Sequence, residues 1–293
     1  MKTILKSWLV VICLLLAALT AALAQNNNTD KIQVPLSQPG KPGSLRANLL
    51  NGSITVSGYN GKDVIVSYGT RDGEVKNKNK TRENEESNGL RQLPNTSTGL
   101  EVREDNNVVT IKTSSFNRTV DLQIQVPTDF SVKLKTLNNG VINVEDVNGE
   151  LEVDNLNGSI NLRNVAGSAS ASTLNGDIVA IFKRVTPNMP MAFSNLNGKI
   201  DVTLPSVAKF NAKLKSDNGE IYTDFDMAME KGNQFATPDK ANSLVPSRLR
   251  NAESPATGTR IYVDKWLYGK LNGGGPDILF KNFNGNIYIR KGK

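Results

Sequence analysis

The sequence predicts an all-β protein with a single domain, a β-solenoid (β-helix) whose strands are joined by stacked Asn-Gly turns. Two observations lead to this prediction: Asn-Gly dipeptides recur at regular intervals, and apolar residues alternate with polar ones between them. The coil period that they define is about 18 to 22 residues. The turn points of the central series are Asn139, Asn148, Asn157, Ala166, Asn175, Asn197 and Asn218.

The strands are predicted from the apolar positions that follow each turn. The third and fifth residues after a turn residue are apolar, as expected for a strand with one buried face, and we expect the apolar eighth residue to lead the chain inward again. In the central series, the residues predicted to be buried on this basis are Ile142, Val144, Val147, Leu151, Val153, Leu156, Ile160, Leu162, Val165, Ala169, Ala171 and Leu174.

A stacked coil and an antiparallel meander both explain strands of this length, because Asn-Gly is also a signal for a two-residue hairpin. The turns alternate, however, between copies with Leu before Asn, such as "NLNG" at 155–158, and copies such as "DVNG" at 146–149. Two distinct halves within eighteen residues favour the coil, in which like halves lie above each other. We therefore expect Asn157 to lie beside Asn175.

The same stacking predicts a structural ladder along the turns and a matching column inside, with Ile160 covering Ile178. Glycine supplies the positive φ that such a turn needs, and stacked asparagines can hydrogen-bond to their own kind. The members of the predicted turn ladder are Asn139, Asn157, Asn175, Asn197, Asn218 and Asn284.

Residues 1–24 are typical of a secretory signal peptide, since two lysines precede a long apolar run that ends in Ala-Leu-Ala. We expect cleavage before Gln25; an uncleaved membrane anchor is the alternative. The mature protein is then exported, whether to the periplasm, to the cell surface or as a secreted protein. It contacts the membrane only through the signal peptide before cleavage.

The rest of the chain is predicted to consist of a short extended segment followed by one domain. Residues 25–44 are predicted to be an N-terminal extended segment, and residues 45–293 the β-solenoid domain. Two polar stretches with few large apolar side chains, at about 71–99 and 227–259, are predicted to be insertions in that domain.

Composition excludes several kinds of chemistry. The chain has no histidine, and its one cysteine, Cys13, lies inside the predicted signal peptide. The mature protein therefore lacks imidazole and thiolate groups for catalysis or metal binding, and we expect no cofactor and no metal. The formal net charge of +7 is spread along the chain, which argues against nucleic acid as a partner.

Three stretches together resemble the putative-adhesin family of bacterial β-strand-repeat proteins, which is filed as domain of unknown function 4097. They are the "LNG-x-I-x-V" series from Leu137 to Asp201, the "SDNGEIYTDF" copy at 216–225 and the ending "LNGGGPDILFKNFNGNIYI" at 271–289. The resemblance covers roughly residues 45–290. It implies an exported, repetitive β-fold, loosely adhesin-like, without an established catalytic site, and it transfers no functional residues.

Outward carboxylates leave an enzymatic alternative open. Glu150, Glu152 and Asp154 alternate on one predicted strand face, and Asp224 and Asp226 form a second pair. Solenoids that cleave polysaccharides carry such groups, so a polysaccharide-active lyase or hydrolase is one alternative function. Solvated charges on an outer face are the plainer explanation.

We expect instead a non-catalytic, adhesin-like protein that presents a surface to an envelope component, a glycan or a protein partner. Tyr222 and Tyr288, both at predicted outward positions, are the candidate binding surface. Trp266 is expected to pack or to cap the stack. A partner that senses envelope state for a signalling system is the remaining alternative.

Overall fold

The computed structural model describes residues 30–71, 99–114, 118–138, 140–230 and 266–292. Within these ranges every regular element is a strand, which confirms the all-β prediction. The strands are β1 (Asp30–Pro35), β2 (Gly43–Asn51), β3 (Ile54–Tyr59), β4 (Asp63–Thr70), β5 (Leu100–Asp105), β6 (Val108–Thr113), β7 (Val120–Pro127), β8 (Phe130–Asn138), β9 (Ile142–Glu145), β10 (Asn148–Asn157), β11 (Ile160–Asn175), β12 (Ile178–Val185), β13 (Met191–Asn197), β14 (Ile200–Pro205), β15 (Phe210–Asn218), β16 (Ile221–Thr223), β17 (Met227–Glu230), β18 (Leu267–Leu271), β19 (Asp277–Asn284) and β20 (Ile287–Gly292).

The strands are arranged in layers, and in most layers an Asn-Gly turn joins one strand to a second strand. First strands hydrogen-bond to first strands of the neighbouring layers, and second strands to second strands, so that two rows run along the stack. Asn157 pairs with Asn175 in the first row and Ile160 with Ile178 in the second, both in parallel register. An antiparallel meander would not give these parallel pairs.

Strand β11 belongs to both rows. Its first residues pair with β9 and β12, and its last residues pair with β10 and β13. The first row runs β5, β6, β2, β8, β10, β11, β13, β19, β15, β18, β17. The second runs β1, β4, β7, β3, β9, β11, β12, β14, β20, β16.

The order of the layers in space differs from their order in the chain. The last layer of the sequence, β19 and β20, lies between β13–β14 and β15–β16, so Asn284 pairs with both Asn197 and Asn218. The first layer, β2 and β3, is likewise inserted, between β6–β7 and β8–β9. Successive Asn-Gly copies are therefore not always neighbours.

The core consists of the inward positions of both rows, as alternation predicts. Ile142, Ile160 and Ile178 are fully buried in one column of the second row. The prediction for the eighth position holds for Val147 and Val165, which are also fully buried.

That prediction is wrong for the two leucines that precede Asn in the other half of the repeat. Leu156 and Leu174 are 37% and 42% exposed. Alternation along β10 explains the result, because Val153 and Asn155 point inward and the next residue must point outward.

A row of buried polar side chains takes the inward position that the leucines leave. Asn195 donates from Nδ2 to the carbonyl of Gly176 at 2.8 Å, and Asn282 donates in the same way to Gly198 at 2.8 Å. Each bond satisfies a turn carbonyl of the adjacent layer, which would otherwise be buried without a partner. The members of this inner polar row are Thr136, Asn155, Thr173, Asn195 and Asn282, which are buried, and Ser216, which is half-buried.

Antiparallel strands cover the ends of the first row. Strand β5 pairs with the outer edge of β6, and β18 pairs with that of β15, so the parallel strands of the first row are bounded by antiparallel ones. Trp266 precedes β18, and the Nζ of Lys213 lies 4.4 Å from the centre of its ring, so the indole packs over β15.

The structure describes only parts of the segments that were predicted at the ends of the domain and in its insertions. Strand β1 lies within the 25–44 segment, and Met227–Glu230, at the start of the second predicted insertion, form strand β17. Residues 72–98 and 231–259 of the insertions, and the signal peptide at 1–24, lie outside the described residues. No helix that could span a membrane occurs in the described ranges.

Arg71 and Asp121 form an ion pair near the N-terminal end of the stack. Arg71 donates to both carboxylate oxygens of Asp121, at 2.5 and 2.6 Å, and the amide of Ser53 donates to Oδ1 at 2.8 Å. Burial raises the pKa of Asp121, but the hydrogen bonds from Arg71 and Ser53 outweigh it and hold the pKa below its ordinary value.

We expect Asp121→Asn to lower the free energy of unfolding at pH 7 by up to about 1 kcal/mol. Because the folded pKa is depressed, this contribution is present above the unfolded pKa of about 3.9 and is lost as the pH falls through the lower folded value. Urea unfolding of both proteins from pH 7 to pH 2 measures it. A difference that stayed constant over this range would contradict the assignment.

Candidate functional site

The two predicted tyrosines meet at one end of the second row. Tyr222 on β16 pairs in register with Tyr288 on β20, so both side chains point outward one layer apart. Their rings are stacked with centres 5.1 Å apart and an angle of 10° between the planes. The sequence separation of these residues hid their proximity, which depends on β20 lying beside β16.

The outer face of Tyr222 is open. Strand β16 pairs with β20 on one side, and no other described strand pairs with it, so the aromatic stack ends in a ring that is 50% exposed. Tyr288 is fixed beneath it, because its hydroxyl oxygen accepts a hydrogen bond from Nδ2 of Asn286 at 3.0 Å. An aromatic surface therefore faces outward at this corner.

Charged groups border the aromatic pair. Arg290 donates to both carboxylate oxygens of Asp201, at 2.7 and 3.1 Å, and its guanidinium lies 5.1 Å from the ring centre of Tyr288. The hydrogen bond with Asp201 is the main cause that raises the pKa of Arg290, so the guanidinium stays charged. Asp224 accepts a hydrogen bond from the amide of Lys291 at 2.7 Å.

These groups line a shallow cleft of about 220 Å³, which we call the tyrosine cleft. An exposed ring presents its negative π-face, on which the weakly positive C–H groups of a flat ligand can stack. The carboxylate of Asp224 offers acceptors and Arg290 offers donors beside it. The residues of the tyrosine cleft are Tyr222, Thr223, Asp224, Tyr288, Ile289 and Arg290.

The turn asparagines form a hydrogen-bonded line along the stack. Nδ2 of Asn175 donates to Oδ1 of Asn157 at 2.8 Å, and Nδ2 of Asn197 donates to Oδ1 of Asn175 at 2.8 Å. Asn284 follows Asn197 at 2.7 Å, and Asn218 follows Asn284 at 2.9 Å, so the predicted residue Asn284 separates two members that are consecutive in sequence.

Asn139 of the predicted ladder lies outside the described residues. The position beneath Asn157 is taken by its neighbour Asn138, whose Oδ1 accepts from Nδ2 of Asn157 at 2.9 Å. The side-chain amides in this line hydrogen-bond to one another, so the line stabilises the turns.

A second surface was missed by the sequence prediction. Leu156, Leu174, Leu196 and Phe283 stand in one outward line and are each 37% to 46% exposed. We call this line the leucine row. The signal for it was present, since a Thr or Asn precedes each of these residues and occupies the inward position instead.

The leucine row forms one wall of a groove of about 610 Å³. The opposite wall consists of polar outward residues two positions earlier on the same strands, including Lys135, Asp154 and Lys281. The groove crosses six strands of the first row, or roughly 24 Å at the usual strand spacing.

The carboxylates considered for catalysis do not converge on one cleft. Glu152 is paired with Lys133 at 2.6 Å, and Asp154 accepts a hydrogen bond from Ser172. Asp224 belongs to the tyrosine cleft, at the other row. In the part of the chain that the structure describes, no group of three or more Asp, Glu, Cys or His side chains is placed to hold a metal ion.

Comparisons with known proteins place the chain in a family. No curated protein matches it. Two crystal structures are similar: a "putative cell adhesion protein" from Clostridium sporogenes ATCC 15579 (13% identity, 90% of this chain and 100% of that chain covered, TM-score 0.40), and a "putative adhesin" from Bacteroides fragilis NCTC 9343 (11% identity, 91% and 98% covered, TM-score 0.34). The family model described as Toastrack DUF4097 matches residues 24–243, and the chain therefore belongs to this family.

Proposed function

We propose that the chain is an exported, non-catalytic, adhesin-like β-solenoid that binds a glycan of the cell envelope through the tyrosine cleft. The observation that carries the proposal is the open face of Tyr222, which ends a stack of two aromatic rings and is bordered by a carboxylate and a guanidinium. The signal-peptide pattern of residues 1–24 supports export.

A glycan fits this cleft better than a compact apolar ligand. One face of a pyranose ring carries C–H groups that stack on an aromatic ring, while its hydroxyls need donors and acceptors at the edge. The cleft is shallow, and a chain of sugars could extend past it along the outer face of the second row. Tyr222 is held by Tyr288, so little freedom is lost on binding.

Binding without turnover is supported by the contacts that hold the carboxylates near the cleft, since Asp224 accepts a hydrogen bond from the amide of Lys291 and Asp201 is paired with Arg290. Acid–base cleavage of a glycoside needs two carboxyl groups within about 5 to 10 Å of each other across the scissile bond. In the tyrosine cleft Asp224 is the one lining carboxylate, and Asp201 beside it is held by Arg290. Turnover of a polysaccharide that is abolished by Asp224→Asn or Glu152→Gln would favour the enzymatic alternative.

The test is binding to purified peptidoglycan fragments and to an array of bacterial polysaccharides. We expect wild-type protein to bind at least one of these glycans and Tyr222→Ala to bind it at least about tenfold more weakly, which corresponds to 1.4 kcal/mol. Phe283→Ala is the matched control, because it removes an aromatic side chain of similar exposure, 46%, from a different surface.

The proposal fails if wild-type protein binds none of these glycans, or if Tyr222→Ala binds as tightly as wild type. It fails equally if Phe283→Ala loses as much affinity as Tyr222→Ala, since the loss would then not report the cleft.

A second candidate is contact with a protein partner through the leucine row, which is favoured by its line of exposed apolar side chains. A segment of a membrane protein bound there would suit the envelope-sensing alternative. We expect Leu174→Asp with Leu196→Asp to abolish capture of such a partner from solubilised envelope. Capture that is unchanged in this variant but lost in Tyr222→Ala would assign the contact to the tyrosine cleft.

A further inference from the structure

A separate pocket of about 420 Å³ lies where the connections lead from the second row back to the first. Its lining includes residues 186–189 between β12 and β13 and residues 207–209 between β14 and β15, together with residues 274–276, which join β18 to β19. It shares no lining residue with the tyrosine cleft. Its volume lies in the range of pockets that hold small molecules.

The interior of this pocket is apolar. Its floor lies against the core residues Met191, Leu204, Phe210 and Ile278, each no more than 5% exposed, so the apolar surface that a ligand can reach belongs to more exposed lining residues such as Val185, Met189 and Val207. At the mouth, Val207 is 80% exposed, and Met189 is also exposed. Apolar side chains both inside and at the entrance favour a long apolar ligand over a polar one.

Hydrogen bonds hold the walls in place. The amide of Ala208 donates to the carbonyl of Pro205 at 2.9 Å, and Nδ2 of Asn272 donates to the carbonyl of Ala208 at 2.8 Å. Nδ2 of Asn211 donates to the carbonyl of Gly275 at 2.7 Å. The pocket is therefore already formed, so little ordering is required when a ligand enters.

Close approach of the two walls depends on glycine at position 275. A Cβ there would lie 2.4 Å from the carbonyl oxygen of Lys209, so a larger residue would push the walls apart. The turn before β19 thus has a direct effect on the width of the pocket.

The charged groups of the lining are all cationic. Lys183, Arg184 and Lys209 line the pocket, and none of the described lining residues is an Asp or a Glu. The rim is therefore complementary to an anion, while the interior is complementary to a hydrocarbon.

We infer that this pocket binds a single acyl chain that carries an anionic headgroup, with the chain between Met189, Val207 and the core residues and the headgroup at the lysines and arginine. This is a second site, independent of the glycan proposed above. Its occupant is an amphiphile of the kind that membranes contain, taken up as a single molecule.

The test is titration calorimetry of the mature chain with dodecanoate below its critical micelle concentration. We expect saturable binding of one dodecanoate, at least tenfold weaker binding of dodecyltrimethylammonium, which has the same chain and the opposite charge, and no binding of butyrate. Absence of dodecanoate binding at millimolar concentration would overturn the inference, as would equal affinity for the two long-chain probes.

Substitutions at the mouth and rim of the pocket test whether dodecanoate binds there. Val207→Asp adds a negative charge at the mouth, and we expect it to lower dodecanoate affinity at least tenfold without loss of thermal stability, because the side chain is 80% exposed. Lys183→Glu with Lys209→Glu should act in the same direction. The matched controls, Leu174→Asp and Lys135→Glu on the groove of the leucine row, should leave the affinity unchanged. Unchanged affinity in Val207→Asp, or equal losses in the controls, would contradict the site.

Discussion

Replacement of Gly198 by alanine is expected to lower the free energy of unfolding by about 3 kcal/mol or more. Two physical terms act together at this turn. The φ of Gly198 is +129°, in a region that L-residues scarcely adopt and that costs about 1–3 kcal/mol. A Cβ would also lie 2.2 Å from the carbonyl oxygen of Gly176 in the adjacent layer, so the two layers would have to separate. Urea unfolding monitored by circular dichroism measures the loss.

Gly273→Ala is the control that separates these two terms. Gly273 also has a positive φ, +89°, but a Cβ there would have no heavy atom within 4 Å. We therefore expect only the conformational cost, about 1–2 kcal/mol. Equal losses at the two positions would show that close stacking of the turns contributes nothing, which would contradict the layered packing.

Asn195→Asp is expected to destabilise the protein by about 3 kcal/mol at pH 7. Asn195 is 5% exposed, and its Nδ2 donates to the carbonyl of Gly176 at 2.8 Å. The substitution removes the donor and directs a carboxylate at a carbonyl oxygen, and an unpaired buried charge is among the most costly changes in a protein interior. The amide oxygen of Asn195 already lacks a partner among the described residues, so nothing there compensates the new charge.

The pH dependence identifies the cause of this loss. Burial is expected to raise the pKa of the introduced carboxyl group, and the protonated form can again donate to Gly176. The penalty should therefore shrink as the pH falls from 7 to 4. Asn197→Asp, two residues along on the partly exposed turn ladder, should cost less than about 1 kcal/mol. A penalty at position 195 that is no larger than at position 197 would place Asn195 outside the core.

Local pattern was sufficient to predict the strands and their inward residues. Ile142, Val144 and Ile160 follow their turns at fixed positions, and each is buried. Alternation also contained the correct answer for Leu156, since an inward Asn155 leaves the leucine outside. Leu156 is exposed because strand geometry outweighs its hydrophobicity, and the buried asparagine beside it is stable because it donates to a turn carbonyl.

The order of the layers could not be predicted in this way. Strand β19 reaches its place because residues 272–276 cross the start of β15, where Asn272 is held by the carbonyls of Ser206 and Ala208. These contacts join residues more than sixty positions apart, and no repeat pattern encodes them. The tyrosine cleft could not be predicted for the same reason. Tyr222 and Tyr288 were each predicted to point outward, but only the inserted layer makes them neighbours.

Cysteine cross-linking tests the stacking order most directly, because Cys13 is the one cysteine in the sequence and Cys13→Ser removes it. Adjacent strands lie about 4.8 Å apart, within reach of a disulfide, whereas a strand two layers away lies at roughly twice that distance, beyond its reach. The structure predicts that Asn197→Cys with Asn284→Cys forms a disulfide under mild oxidation and that Asn197→Cys with Asn218→Cys does not. A disulfide in the second pair and none in the first would contradict it.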